Sequence, residues 1–257
     1  TAIVTQYGRG AALAVDIDTA LITPIDLEAV SDDDARPEAE RVTTCGRRAY
    51  VQLARIDHES GAASKLGAGL AVIDFDLPAL NRLVDVDPVA PGVQAIALAG
   101  RAEFDMPADC VASRLYVAEP KPLFTGGGIY EVVDLTTFAA TEYPFASSAE
   151  VGGFAIVDDV LGWRITHTDF GPGASSHLEL VGAGPFDTHN TFSGYYVDDL
   201  ALDRTEDLLF FPDPCEVTPS NPACQGGVHV FHAHSGARAR ALPIDVGFTP
   251  LEVTIAR

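Results

Sequence analysis

The 257 residues carry a net charge of −21, from 37 acidic against 16 basic side chains, with 47% hydrophobic and 8% aromatic content. That composition is globular and long enough to bury a full core. It excludes nucleic acid and anionic lipid as partners, because phosphate binding needs clustered Lys and Arg, and the only lysines are Lys65 and Lys121.

Period-two alternation predicts short strands along the whole chain. In chain order they are AIVTQY (2–7), LAVDID (13–18) and ALITPIDL (20–27), then PEAERVTTC (37–45), AYVQLA (49–54) and LAVIDFD (70–76). FDMPADC (104–110), LYVAEP (115–120), YEVVDL (130–135) and FAATEYPF (138–145) follow. Next come GGFAIVDD (152–159), WRITHT (163–168) and LELVGA (178–183). The last set is YVDDLALD (196–203), LLFFPD (208–213), VHVFHA (228–233) and ARALPIDV (239–246). Gly and Pro clusters separate the runs, and no stretch keeps a helical period. No apolar run reaches the length of a membrane span.

Four short strands recurring five times, at about fifty residues per unit, predict an all-β fold, a single β-propeller over residues 1–257. The blades fall at about 31–100, 101–148, 149–193 and 194–246. The fifth joins 247–257 to 1–30, so that the N- and C-terminal strands close one blade and leave no open edge. Residues upstream of Thr1 would raise the number to six or seven. Any export signal would lie upstream as well.

The stretch VHVFHAHSGARARALPIDVGFTPLEVTIAR (228–257) resembles a blade of the YVTN and NHL-like β-propellers, with Ser235-Gly236 and Gly247-Phe248-Thr249-Pro250 matching the repeat. Segments 25–57 and 70–98 resemble largely uncharacterised propeller lipoproteins of myxobacteria and related bacteria. The resemblance implies a propeller of the outer envelope, cell surface or extracellular space. It implies no activity, because propellers host many functions.

Several residue groups bear on chemistry. Cys215 and Cys224 bracket a Pro-rich loop short enough for a stabilising disulfide, which implies an extracytoplasmic compartment. Cys45 and Cys110 end equivalent strands of neighbouring blades; they form a bridge or two separate buried thiols. Asp32, Asp34 and Glu38, in the turn-rich SDDDARPEAE (31–40), offer hard oxygen ligands of the kind Ca²⁺ takes. The alternative is a solvated acidic loop. Ala35 stands where the related pattern has Gly, and a left-handed position disfavours it. His229, His232 and His234 are expected to belong to a blade rather than a Zn or Cu site. Alternation puts His232 and His234 on one face and His229 on the other. His232 also replaces the turn-capping Asp16, Asp74 and Asp134 of other blades. Asp158-Asp159 and Asp198-Asp199 stand at ends of inner strands, as turn formers or as an acid/base pair. Trp163 and Tyr195-Tyr196 are expected to pack.

These features lead to the expectation of a non-enzymatic extracytoplasmic binding or scaffold protein, with a protein or glycan partner or self-assembly, and with Ca²⁺ ordering the 31–40 loop. The alternative is a lactone or glycan hydrolase, metal-assisted or using channel carboxylates.

Overall fold

The computed structural model describes residues 1–32, 34–57, 62–63, 66–78, 82–99, 108–120, 128–144, 150–159, 161–167, 175–181, 188–193, 199–214, 226–247, 253 and 255. Among them the chain is all-β, apart from one 3-10 turn at Glu28–Val30. Five antiparallel sheets follow each other along the sequence. The first holds β1 (Ala2–Val4), β2 (Ala11–Val15) and β3 (Ile22–Asp26). The second holds β4 (Ala39–Cys45), β5 (Arg48–Leu53), β8 (Gly69–Asp74) and β9 (Ile96–Ala97), with a small hairpin of β6 (Ile56–Asp57) and β7 (Ala62–Ala63) inserted. The third holds β10 (Ala108–Val111), β11 (Arg114–Pro120), β12 (Gly128–Asp134) and β13 (Ala140–Pro144). The fourth holds β14 (Glu150–Ile156), β15 (Gly162–His167), β16 (Ser175–Val181) and β17 (Thr188–Ser193). The fifth holds β18 (Ala201–Asp203), β19 (Leu208–Asp213) and β20 (Gly227–His232). Every sheet is a meander, each strand pairing with the one before it once the inserted hairpin is set aside.

The chain falls into two compact units, Thr1–Pro122 with Ile129–Tyr143, and Leu123–Gly128 with Pro144–Arg257. Within the first unit, sheets stack face to face. Successive residues of a strand point to opposite faces, and β5 and β8 are apolar on both. Ala49, Val51, Leu53, Ala71 and Ile73 pack on Ala12, Ala14 and Ile25 of the first sheet. Tyr50, Leu70 and Val72 pack on Leu115, Val117 and Val133 of the third. Burying each large aliphatic side chain contributes about 1.5–3 kcal/mol, so the second sheet holds its two neighbours together. Within the second unit, Ala155, Val157, Trp163 and Ile165 of the fourth sheet pack on Leu209, Phe211, Phe231 and Ala233 of the fifth. Trp163 Nε1–H donates to the Ala233 carbonyl at 2.7 Å, so the indole nitrogen is satisfied inside that core.

Neighbouring sheets also meet along their first strands, β4 with β10 and β14 with β18. Cys45 at the end of β4 and Cys110 in β10 are joined by a disulfide, with their Cα atoms 5.9 Å apart, inside the usual span for a bridge.

One turn recurs. Asp16 N–H donates to Leu21 O, Asp134 N–H to Ala139 O, and His232 N–H to Ala237 O. The carboxylate of Asp16 accepts the amides of Asp18 and Thr19, and that of Asp134 accepts those of Thr136 and Thr137. The hydroxyls of Thr19, Thr137 and Ser235 accept the amide two residues on. The fifth position is left-handed in each: Ala20 at φ 56°, Phe138 at 59° and Gly236 at 66°. Asp74 also caps its turn, through the Asp76 amide.

The structure departs from the expected strands: β6, β7, β9 and β17 fall outside the expected runs. Residues 239–246 form no strand; Arg238 and Ile244 make isolated bridges to Phe231 and Val228. Ala239 N–H donates to Val230 O, and the next pairing, at Val228, falls on Ile244, so residues 240–243 bulge out and break the ladder. The first sheet has three strands among the described residues, and most of 247–257, the expected fourth, lies outside them.

Candidate functional site

The acidic segment 31–40 begins where the 3-10 turn ends. Asp32 O accepts the Ala35 amide at 3.2 Å, and Asp34 Oδ1 accepts the Arg36 amide at 2.8 Å. Ala35 adopts the left-handed conformation at φ 60°, as the turn requires, although a side chain there costs about 1–2 kcal/mol. The turn presses on Gly10, where an added Cβ would stand 2.7 Å from Glu28 Cγ and 3.1 Å from Ala35 O. Behind it lies Arg55, buried and donating through Nε and Nη2 to Val30 O at 3.0 and 2.7 Å. Gly69 leaves room for that guanidinium, since a Cβ there would fall 3.0 Å from Arg55 Nη1.

The electrostatics follow from this packing. Burial, then the hydrogen bond and negative charge of Asp34, push the Asp32 carboxyl above its ordinary value. Burial holds Arg55 below the usual guanidinium value, and the charge of Asp32 partly restores it. Glu38 is fully buried. It acts with Glu40 on Tyr7, whose phenol is raised first by burial and then by those two charges. The structure thus pairs Asp32 with Asp34 and sets the Arg55 guanidinium near enough to Asp32 for their charges to interact. Nothing in the spacing of the sequence pointed to Arg55, which lies between β5 and β6, just past the end of a strand of the next sheet; an arginine inside the apolar run LARID was its only trace. Among the described residues, no three His, Cys, Asp or Glu side chains surround one point closely enough to hold a metal ion.

The three histidines separate. His229 is buried, with Nε2 3.3 Å from Asp213 Oδ2 and Nδ1 3.0 Å from Arg238 Nη1. Its ring stands edge-on to Phe211 and stacks against Phe231. Arg238 also lies over the Phe231 ring at 5.5 Å. The guanidinium donates to Nδ1, so Nε2 carries the ring proton toward Asp213. His232 is exposed. His234, in the turn, brings Nδ1 to 2.5 Å from Asp207 Oδ1 and Nε2 to 3.7 Å from Asp158 Oδ2. The structure therefore divides these side chains between separate carboxylates.

Asp158 Oδ1 accepts the Leu161 amide at 2.9 Å, which is turn chemistry, and Asp199 Oδ2 accepts the Val253 amide at 2.6 Å. Asp198, Tyr195, Tyr196, Cys215 and Cys224 lie outside the described residues. No helix in the described residues is long and apolar enough to cross a membrane.

No protein-family model matches the chain, and no curated protein does. Among solved structures it is similar to the tricorn protease, with a TM-score of 0.35 and 9% identity over 90% of this chain. It spans 28% of that chain's length. A likeness at that level assigns neither fold nor activity.

Proposed function

We propose that the chain is a β-propeller whose five sheets are its blades, closed by pairing of 247–257 with β1, and that it serves as an extracytoplasmic binding or scaffold module. The observation that carries this reading is the face-to-face stacking of sheets whose first strands draw together, as blades do around an axis. The first sheet adds support. Ala12, Ala14 and Ile25 are buried on one face, while Ala2, Val15 and Ile22 form one cross-strand row of the other, and Val4, Leu13 and Pro24 a second. That second face has Val4 and Ile22 46% and 57% exposed and carries no charge in either row. A sheet apolar on both sides is built to receive another sheet on each.

On such a scaffold, recognition falls to the loops. The crowding of Asp32 with Asp34 is what a divalent cation would relieve, with backbone and loop oxygens completing the six to eight that Ca²⁺ takes. Ca²⁺ would then order 31–40 and bridge this acidic surface to a protein, a glycan or a second copy. The disulfide between Cys45 and Cys110 suits an oxidising compartment.

The test is native mass by light scattering, together with thermal stability, in Ca²⁺ and in EDTA. The expected result is an assembly larger than the 27.1 kDa chain, or a higher melting temperature, in Ca²⁺ alone. A 27.1 kDa monomer whose melting temperature ignores both additions would overturn the Ca²⁺-dependent scaffold.

A further inference from the structure

In the turn after β20, position 232, which is Asp in the matching turns at 16 and 134, is His. The carboxylate comes instead from Asp207, in the turn between β18 and β19. Asp207 Oδ1 accepts the His234 amide at 3.0 Å, and the Asp207 carbonyl accepts the Ala233 amide at 2.9 Å. The same Oδ1 meets His234 Nδ1 at 2.5 Å. The other ring nitrogen, Nε2, faces Asp158 Oδ2 at 3.7 Å, and Asp158 belongs to the turn between β14 and β15 of the fourth sheet. One imidazole therefore stands between carboxylates of two different sheets.

We propose that His234 is a proton-dependent clasp tying the end of the fourth sheet to the end of the fifth. An imidazolium donates from both ring nitrogens; a neutral imidazole donates from one and presents a lone pair at the other. With the ring protonated, His234 hydrogen-bonds Asp207 and faces Asp158 with a second N–H and its positive charge, as an ion pair at 3.7 Å. Loss of one proton keeps the short contact to Asp207 and turns the Nε2 lone pair toward the Asp158 carboxylate, which repels it. The groups around the ring reinforce this sense. Asp158 and Asp159 lie on the β14–β15 turn, and Asp203, Arg204, Glu206 and Asp207 on the β18–β19 turn. His232 ends β20, and its charge acts on Asp207. The Arg204 guanidinium is held by the Ile156 carbonyl, with Nη2 2.7 Å from it. The acids outnumber the one arginine, so a proton on His234 is the charge that lets the two turns approach. The clasp requires neither Ca²⁺ nor a closed ring, and it holds or fails independently of the function proposed above.

The experiment is hydrogen exchange on the whole chain at about pH 5.5 and about pH 8, on either side of the range where imidazoles change charge. It reads protection factors, normalised for intrinsic exchange, of the Leu161, Ala233 and His234 amides. The Thr19 amide, on the equivalent Asp16 turn, serves as the control. In the wild type, protection at the three amides relative to Thr19 should be about two- to fivefold higher at the lower pH, the span an exposed charge pair allows. In Asp158→Asn and in His234→Gln the ratio should fall to about one. If either variant unfolds the second unit, the ladder amides of β19 and β20 in that same unit lose protection too, and the other variant decides. Equal protection at the two pH values in the wild type overturns the clasp. So does a difference that survives in the folded variants.

Discussion

Replacing both Cys45 and Cys110 with Ala tests how the first unit is held together. The bridge spans a sequence separation of 65 residues. If it acts by restricting the unfolded chain, a closed loop of that length removes about 14 cal/mol/K of entropy, or about 4 kcal/mol at 25 °C. For a chain of this size that is a fall in melting temperature of about 8–16 °C. Cys45 is buried against the core shared with Leu115 and Val117, so its truncation adds a small packing loss to the variant but none to the reduced wild type. The assay is urea unfolding of three samples: oxidised wild type, reduced wild type and the double variant. Reduced protein and variant should lie close together, both well below the oxidised chain, with the m-value larger for the uncrosslinked samples because their unfolded state is more open. A loss under about 1 kcal/mol, with the bridge verified by mass, would refute the chain-entropy account.

Three further outcomes are expected. Ala20→Gly should stabilise by about 0.5–1 kcal/mol, because relief of a left-handed alanine exceeds the added backbone entropy of glycine; the readout is thermal unfolding, and a loss of stability would mean the 16–21 turn is not strained. Trp163→Phe removes the donor to the buried Ala233 carbonyl and should cost about 1–3 kcal/mol in urea unfolding, whereas no change would mean that carbonyl finds another donor. Asp74 and Asp32 should respond to pH in opposite senses. Burial works against the Asp74 charge, but the Asp76 amide and Arg48 outweigh it and lower the pKa. Its contribution is therefore present above the unfolded-state value of about 4 and lost as pH falls further, so Asp74→Asn should flatten the acid limb of a stability–pH curve. The Asp32 pKa is raised, so its contribution is present below about pH 4 and lost above it, and Asp32→Asn should stabilise at pH 7 but not at pH 3.

Strands were readable where side-chain period alone decides them. LLFFPD at 208–213 coincides with β19, and AYVQLA at 49–54 lies within one residue of β5. Such segments alternate strongly or are apolar on both faces. Residues 239–246 misled because their alternation is sound while 240–243 bulge out between the bonds of Ala239 and Ile244 to β20, a backbone path that hydropathy does not encode. The capping role of Asp16, Asp74 and Asp134 was visible because it is local, a carboxylate reaching amides two or three residues on. Asp32 and Asp34 were visible together for the same reason. The positions of Arg55 behind them, of Asp213 and Arg238 around His229, and of Asp207 and Asp158 around His234 depend on which strands become neighbours. No spacing rule carries that information. The pairing of Cys45 with Cys110 lay between the two kinds: equivalent positions suggested proximity, and the meeting of β4 with β10 supplied it.

The borrowed carboxylate of Asp207 has a consequence for how this sequence can drift. A turn that carries its own aspartate can change without regard to the rest of the chain. The turn at 232–237 cannot, because its amides are served from a position 27 residues earlier. Positions 207, 232 and 234 therefore form one heritable unit: an Asp regained at 232 would release 207 to vary, and the loss of Asp207 would have to be answered at 232. Among related chains, Asp at either position should substitute for Asp at the other, and chains lacking both should be rare.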